Sequence, residues 1–98
     1  MGFRHIVMFE WAEGTTTGQQ EEVAAKLAEL PAVIPEIGTL SLGTDAGVNQ
    51  GNFDFVVVGD FAGRDEYVAY RDHPAHRAVV EDYIKPILGR RAAIQYEM

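Results

Sequence analysis

The hydrophobic pattern starts as a strand. From His5 to Trp11 the side chains alternate, with His5, Val7, Phe9 and Trp11 on one face and Ile6, Met8 and Glu10 on the other. Both faces are mostly apolar, so this strand has two layers to pack against. Thr15-Thr16-Thr17-Gly18 then signals a helix start, with Thr17 and Gln20 at capping-box spacing. Val23, Lys26, Leu27 and Leu30 follow at helical spacing, with Glu21, Glu22 and Glu29 on the wet side, and Pro31 and Pro35 end the helix. A second strand is predicted over 37–43, and the Gly-, Asp- and Asn-rich stretch from Gly43 to Asn52 reads as a loop. The third strand is predicted over 53–61. Phe53, Phe55 and Val57 share one face; Val56 and Val58 share the other.

A helix is predicted from Arg64 to Asp72, with Tyr67 and Tyr70 on one side. Pro74 excludes the residue before it from helical backbone, so His73 marks a break, and proline suits the first turn of a new helix. That second piece carries Val79, Val80, Tyr83, Ile84 and Ile87 on one stripe. A last strand, 90–97, places Ala92, Ile94 and Tyr96 on one face. The order β-α-β-β-α-β is that of the α+β, ferredoxin-like fold with a four-stranded antiparallel sheet, in one domain over 1–98. Helices cover only one face of such a sheet. The other keeps Ile6, Met8, Val56 and Val58, and an apolar face of this extent is rarely left in water. A second copy packed sheet to sheet is the expected cover, making the protein a homodimer.

Composition supports this. A 98-residue chain buries only roughly 60–65% of its unfolded surface, and pairing extends a modest core. Net charge is −7, with the eight Lys and Arg scattered and only Arg90 and Arg91 adjacent; nucleic acid and anionic membranes are poor partners for such a chain. The chain has no cysteine, which removes disulfides, thiolate catalysis and cysteine-based metal sites. The opening apolar run is interrupted at Glu10, too short for a signal-peptide core or a membrane span, and a cytoplasmic location is expected.

The histidines carry the chemistry. His76 shares a helix face with Val79 and Val80, which should look at the sheet, and His5 shares a strand face with Val7 and Phe9. If both faces meet, His5 and His76 line one space with Tyr70, walled by Phe9, Phe55 and Tyr67. Against this, each of these residues has an ordinary packing role: a core histidine with satisfied hydrogen bonds, a core aromatic, and for His73 a helix cap. The glycine-rich 43–52 segment lacks a G-K-[ST] end and opens a strand rather than a helix, unlike a phosphate-binding loop. A metal site from His5, His76 and a carboxylate lacks H-x-x-x-H or H-E-x-x-H spacing. No cofactor is expected.

The opening His5-Ile6-Val7-Met8-Phe9, the central Asn52-Phe53-Asp54-Phe55-Val56-Val57-Val58 and above all Tyr70-Arg71-Asp72-His73-Pro74-Ala75-His76 resemble the stress-responsive A/B barrel (Dabb) family, over nearly the whole chain. The resemblance implies a dimeric α/β barrel with two sheets facing each other and helices outside. It also implies a range of roles: plant stress proteins, many bacterial members of unassigned role, and one plant polyketide cyclase. That cyclase closes a linear tetraketide by aldol condensation without cofactor or metal. Its acid–base pair resembles Tyr70 and His76, and its early strand histidine resembles His5. Phe55 stands here in place of a further pocket histidine, and Leu27 near a pocket tyrosine.

The expectation is therefore a Dabb-type dimer of unassigned role that binds a small hydrophobic molecule between sheet and helices. The catalytic candidates are His76, Tyr70 and His5; Phe9, Phe55, Tyr67 and His73 are the substrate-binding candidates. The alternative is a cyclase-like aldol enzyme or an isomerase, with His76 as base, Tyr70 orienting it or donating to substrate, and His5 placing the substrate. A purely structural protein stays open. A haem-degrading or antibiotic-type monooxygenase shares the architecture, but no motif supports it.

Overall fold

The computed structural model describes residues 2–98. Four strands, β1 (Phe3–Trp11), β2 (Ile37–Thr44), β3 (Phe55–Phe61) and β4 (Leu88–Glu97), form one antiparallel sheet in the order β2-β3-β1-β4. Three helices, α1 (Thr17–Ala28), α2 (Arg64–Asp72) and α3 (Pro74–Val79), lie on one side of it. This is the ferredoxin-like arrangement that the order of elements predicts.

Alternation in β1 decides which face is buried. Phe3, His5, Val7, Phe9 and Trp11 are all buried, and across β3 they meet buried Phe55, Val57, Gly59 and Phe61. α1 closes this core with Val23 and Leu27, and the turn after it adds Leu30 and Ile34. The capping box sits one residue earlier than predicted. Thr16 Oγ1 accepts from the Gln19 amide at 3.1 Å, and Gln19 Oε1 accepts from the Thr16 amide at 2.9 Å. Three threonines followed by two glutamines satisfy the spacing twice, so the motif alone does not choose the register.

The third strand begins at Phe55, not Phe53. Asp54 is used as a clasp: its amide donates to the Phe9 carbonyl at 2.8 Å, and its carboxylate accepts from the Trp11 amide at 2.8 Å. Phe53 therefore leaves the core face and lies under the Arg90 guanidinium, 4.9 Å from the ring centre. The stripe after His76 is not one α-helix either. α3 ends at Val79, the backbone widens into a π-turn over Val80–Ile84, and a 3-10 turn covers Lys85–Ile87. Pro86 has no amide to continue an α-helical ladder, and widening is the local solution.

The helix-free face carries Ile6, Met8, Val56, Val58, Ala92, Ile94 and Tyr96 in register. Ile94 is 59% exposed, Tyr96 41% and Met8 37%. A bidentate ion pair, Arg4 to Asp60 at 2.7 and 2.9 Å, sits on the same face, with Thr39 also donating to Asp60. Among the described residues no helix is long and apolar enough to cross a membrane.

Candidate functional site

The break at His73 builds the site. On a continuous helix, side chains six apart point about 120° away from each other. Here His73 is extended (φ −63°, ψ 134°), closes α2 by donating its amide to the Tyr70 carbonyl, and starts α3 at Pro74. The bend brings the rings of Tyr70 and His76 to 4.2 Å between centroids. The same break rewires the backbone. In an unbroken helix the Ala75 amide would bond the Arg71 carbonyl; instead it donates to His73 Nδ1 at 3.0 Å. The freed Arg71 carbonyl accepts from His76 Nδ1 at 3.0 Å.

That bond sets the tautomer. A carbonyl can only accept, so His76 carries its proton on Nδ1 and leaves the Nε2 lone pair free. Burial holds the His76 pKa below the ordinary histidine value, partly opposed by the Arg71 carbonyl, so the ring is a neutral base near pH 7. His5 is the reverse case. Gln95 Nε2 donates to His5 Nδ1 at 2.8 Å, so the proton of the neutral ring is on Nε2. Burial first, then the positive charge of Arg91 and that of His76 once it is protonated, push its pKa down to about 4. Tyr70 is buried, and burial raises its hydroxyl pKa well above the ordinary value; Tyr67 is shifted the same way. Both phenols remain donors.

The site thus has one imidazole that accepts, one that donates, and a phenol between them: Tyr70 lies 6.4 Å from His5 and Tyr67 4.9 Å from His5, centroid to centroid. All four rings line a cavity of about 650 Å³ between the sheet and the α3–π-turn segment, open at one side. Val7, Phe9, Leu27, Val57 and Ile84 make its apolar floor. Two of the substrate-binding candidates, Phe55 and His73, stand outside the lining. Phe55 lies flat against Phe9, 6.5 Å away, outside the wall. His73 caps α3 by accepting from the Ala75 amide, which leaves the Arg71 carbonyl to His76.

Gln95 and Arg91 also line the cavity, from β4, where no sequence motif marks them. Alternation puts Ala92, Ile94 and Tyr96 on one face; their neighbours Arg91, Ala93 and Gln95 occupy the other, paired with Phe9, Val7 and His5. Gly59 lies opposite His5 on β3. A side chain there would meet the Phe61 ring at 3.0 Å, and the Phe61 ring packs 5.1 Å from Tyr70. Among the described residues no three His, Asp or Glu side chains converge as metal ligands.

The family model of the stress responsive A/B barrel domain (Dabb) matches residues 3–98. The chain belongs to the Dabb family. A dimeric ferredoxin-like protein of unknown function from Thermobifida fusca is 45% identical, over all of this Dabb chain and 92% of the other, with a TM-score of 0.92. A Dabb protein from Mesorhizobium loti is 21% identical, over 99% of this chain and 96% of its own, at a TM-score of 0.83. A hydroxynitrile lyase from Passiflora edulis shares the fold at 18% identity, covering 97% of this Dabb chain and 91% of its own, with a TM-score of 0.85. No curated protein matches.

The buried His5 ties stability to pH. Its folded pKa of about 4 lies below the unfolded value near 6.5, so the unfolded chain binds the proton more tightly. Stability is therefore full above about pH 6.5 and falls as pH drops toward 4. Between pH 7 and pH 5 the expected loss is about 2 kcal/mol, and His76 adds to it with the same sign. The carboxylates with lowered pKa, Asp60, Asp72 and Glu81, titrate below this window. Denaturant midpoints at fixed protein concentration check this: His5→Gln should remove most of the slope, and an unchanged slope would contradict the assignment.

Proposed function

We propose that the protein is a homodimer, joined through its helix-free sheet faces, whose cavity binds a small, largely apolar molecule. The apolar row of exposed Met8, Ile94 and Tyr96 with half-buried Ile6 and Val58 supports the dimer, as do relatives described as dimeric. The observation that carries the binding reading is a half-open apolar cavity of about 650 Å³ with a few convergent polar groups. Fluorescence titration with the neutral probe 1-pyrenebutanol tests it. The wild-type chain should bind the probe, and Ala93→Trp, which fills the cavity from the β4 edge, should weaken binding at least about tenfold, the loss of a buried apolar contact. Equal binding by both would place the probe elsewhere.

The opposed tautomers favour a second, enzymatic reading: a cyclase-like aldol step. His76 Nε2 takes a proton from a carbon lying between two carbonyls, and the electron pair moves onto the carbonyl oxygen. Tyr70 Oη–H and His5 Nε2–H are the donors for that oxygen. The enolate carbon then attacks a second carbonyl of the same molecule, one C–C bond forms, and the new alkoxide takes the proton back from His76. Atoms and electrons balance within the substrate and one imidazole. The passion-fruit relative is a lyase on the same fold, but a fold hosts many chemistries, and it is the site residues that support this reading.

A further inference from the structure

Fifteen acids and eight cations give the chain its charge of −7, yet the cavity is basic. Arg71, Arg77, Lys85 and Arg91 line it, with Glu81 as the one acid of the lining. Scattered in sequence, half of the cations converge in space.

Their pairing separates structural from unassigned charge. Arg4 is bound to Asp60, Arg64 to Glu97, Arg90 to Glu10, Arg71 to Asp72 and Lys85 to Glu81. Lys26 lies over the Tyr83 ring at 5.5 Å. Only Arg77 and Arg91 have neither an ion pair nor an aromatic partner among the described residues, and both line the cavity. They approach it from opposite sides. Arg77 follows His76 on α3, and Arg91 stands on the face of β4 that carries Gln95, the partner of His5. An acidic chain has ample carboxylates to neutralise two arginines, so two open guanidiniums over one apolar floor are a place for an anion.

We propose that the cavity selects an apolar molecule that carries a carboxylate, with the carboxylate held at the mouth by Arg91 and Arg77. This rests on the cavity being a ligand site. Guanidinium presents a planar fork that matches a carboxylate in two parallel hydrogen bonds, and it stays charged at every physiological pH. The apolar body then lies over Val7, Phe9 and Val57, next to Tyr70 and His76. The molecule's overall negative charge does not oppose this, because charges separated by more than a Debye length are screened, while those lining the mouth act at contact.

The test is a matched pair of fluorescent probes, 1-pyrenebutyrate and 1-pyrenebutanol, which differ in the carboxylate. The wild-type chain should bind the carboxylate about tenfold more tightly at low salt, the size of a charge-assisted hydrogen bond, and the advantage should shrink at high salt. The double variant Arg77→Gln/Arg91→Gln should lose that advantage while its affinity for the alcohol stays within roughly twofold, since the apolar contacts remain. Tyr70→Phe should keep the advantage. Equal binding of the two probes by the wild-type chain, or an advantage that survives the double variant, overturns the charge selection and leaves the cavity as a neutral-ligand site. Failure of both probes to bind, or binding untouched by Ala93→Trp, overturns the cavity reading and the selection together.

Discussion

Ile94→Asp is expected to convert the dimer into a folded monomer. Ile94 pairs with Ile6 on the helix-free face, Ile6 in turn faces Val58, and the three form the middle of the apolar row. In one chain Ile94 is 59% exposed, so aspartate there costs the isolated fold little. In a two-fold dimer the substitution is present twice and buried twice. Losing an isoleucine contact and desolvating a carboxylate together cost about 3 kcal/mol per copy, or about 6 kcal/mol per dimer. That is roughly a 10⁴-fold weaker association. Sedimentation or light scattering reads the mass, and circular dichroism reads the fold. A variant that stays dimeric with unchanged affinity would place the interface elsewhere; a wild-type chain that is monomeric in dilute solution would remove the interface altogether.

The second large effect concerns the acid–base pair. If the cavity closes a linear β-polyketone carboxylate, His76→Ala should lower kcat by about 10²–10⁴, the usual worth of a positioned general base. Tyr70→Phe should lower it by about 10²–10³, the usual worth of one donor to a developing oxyanion. Both variants keep the bend at His73 and the apolar floor, so dimer mass and thermal midpoint should move little by comparison. Because burial lowers the His76 pKa, activity should hold level at neutral pH and fall only on the acid side of the ordinary histidine range. Turnover unchanged in both variants would remove the enzymatic reading and leave the binding one standing.

How much of this was legible in the sequence depends on the range of the interaction. The two faces of β1 follow from strict alternation, and the order of elements follows from local helix and strand signals. The bend at His73-Pro74 is a covalent property of proline, so the meeting of Tyr70 and His76 was readable as well. The partners from β4 were not. That strand is an edge strand whose register on β1 shifts at Glu10 and Trp11, and a one-residue slip exchanges Arg91 and Gln95 for Ala92 and Ile94. The π-turn was invisible because the adjacent apolar pairs Val79-Val80 and Tyr83-Ile84 fit a repeat of four residues as well as one of five. Phe55 read as a wall residue because its face was right; it is the cross-strand neighbour of Phe9, one strand further from the cavity, and alternation does not encode strand order.

The chemistry attributed to the cavity depends on two neutral imidazoles of opposite tautomer. Long-range ¹H–¹⁵N correlation spectra of the three histidine rings near neutral pH measure this directly. They should show His76 protonated at Nδ1 and His5 protonated at Nε2, each with one protonated nitrogen and one free. Spectra with His76 protonated at Nε2, or with both rings as imidazolium at pH 7, would contradict the account.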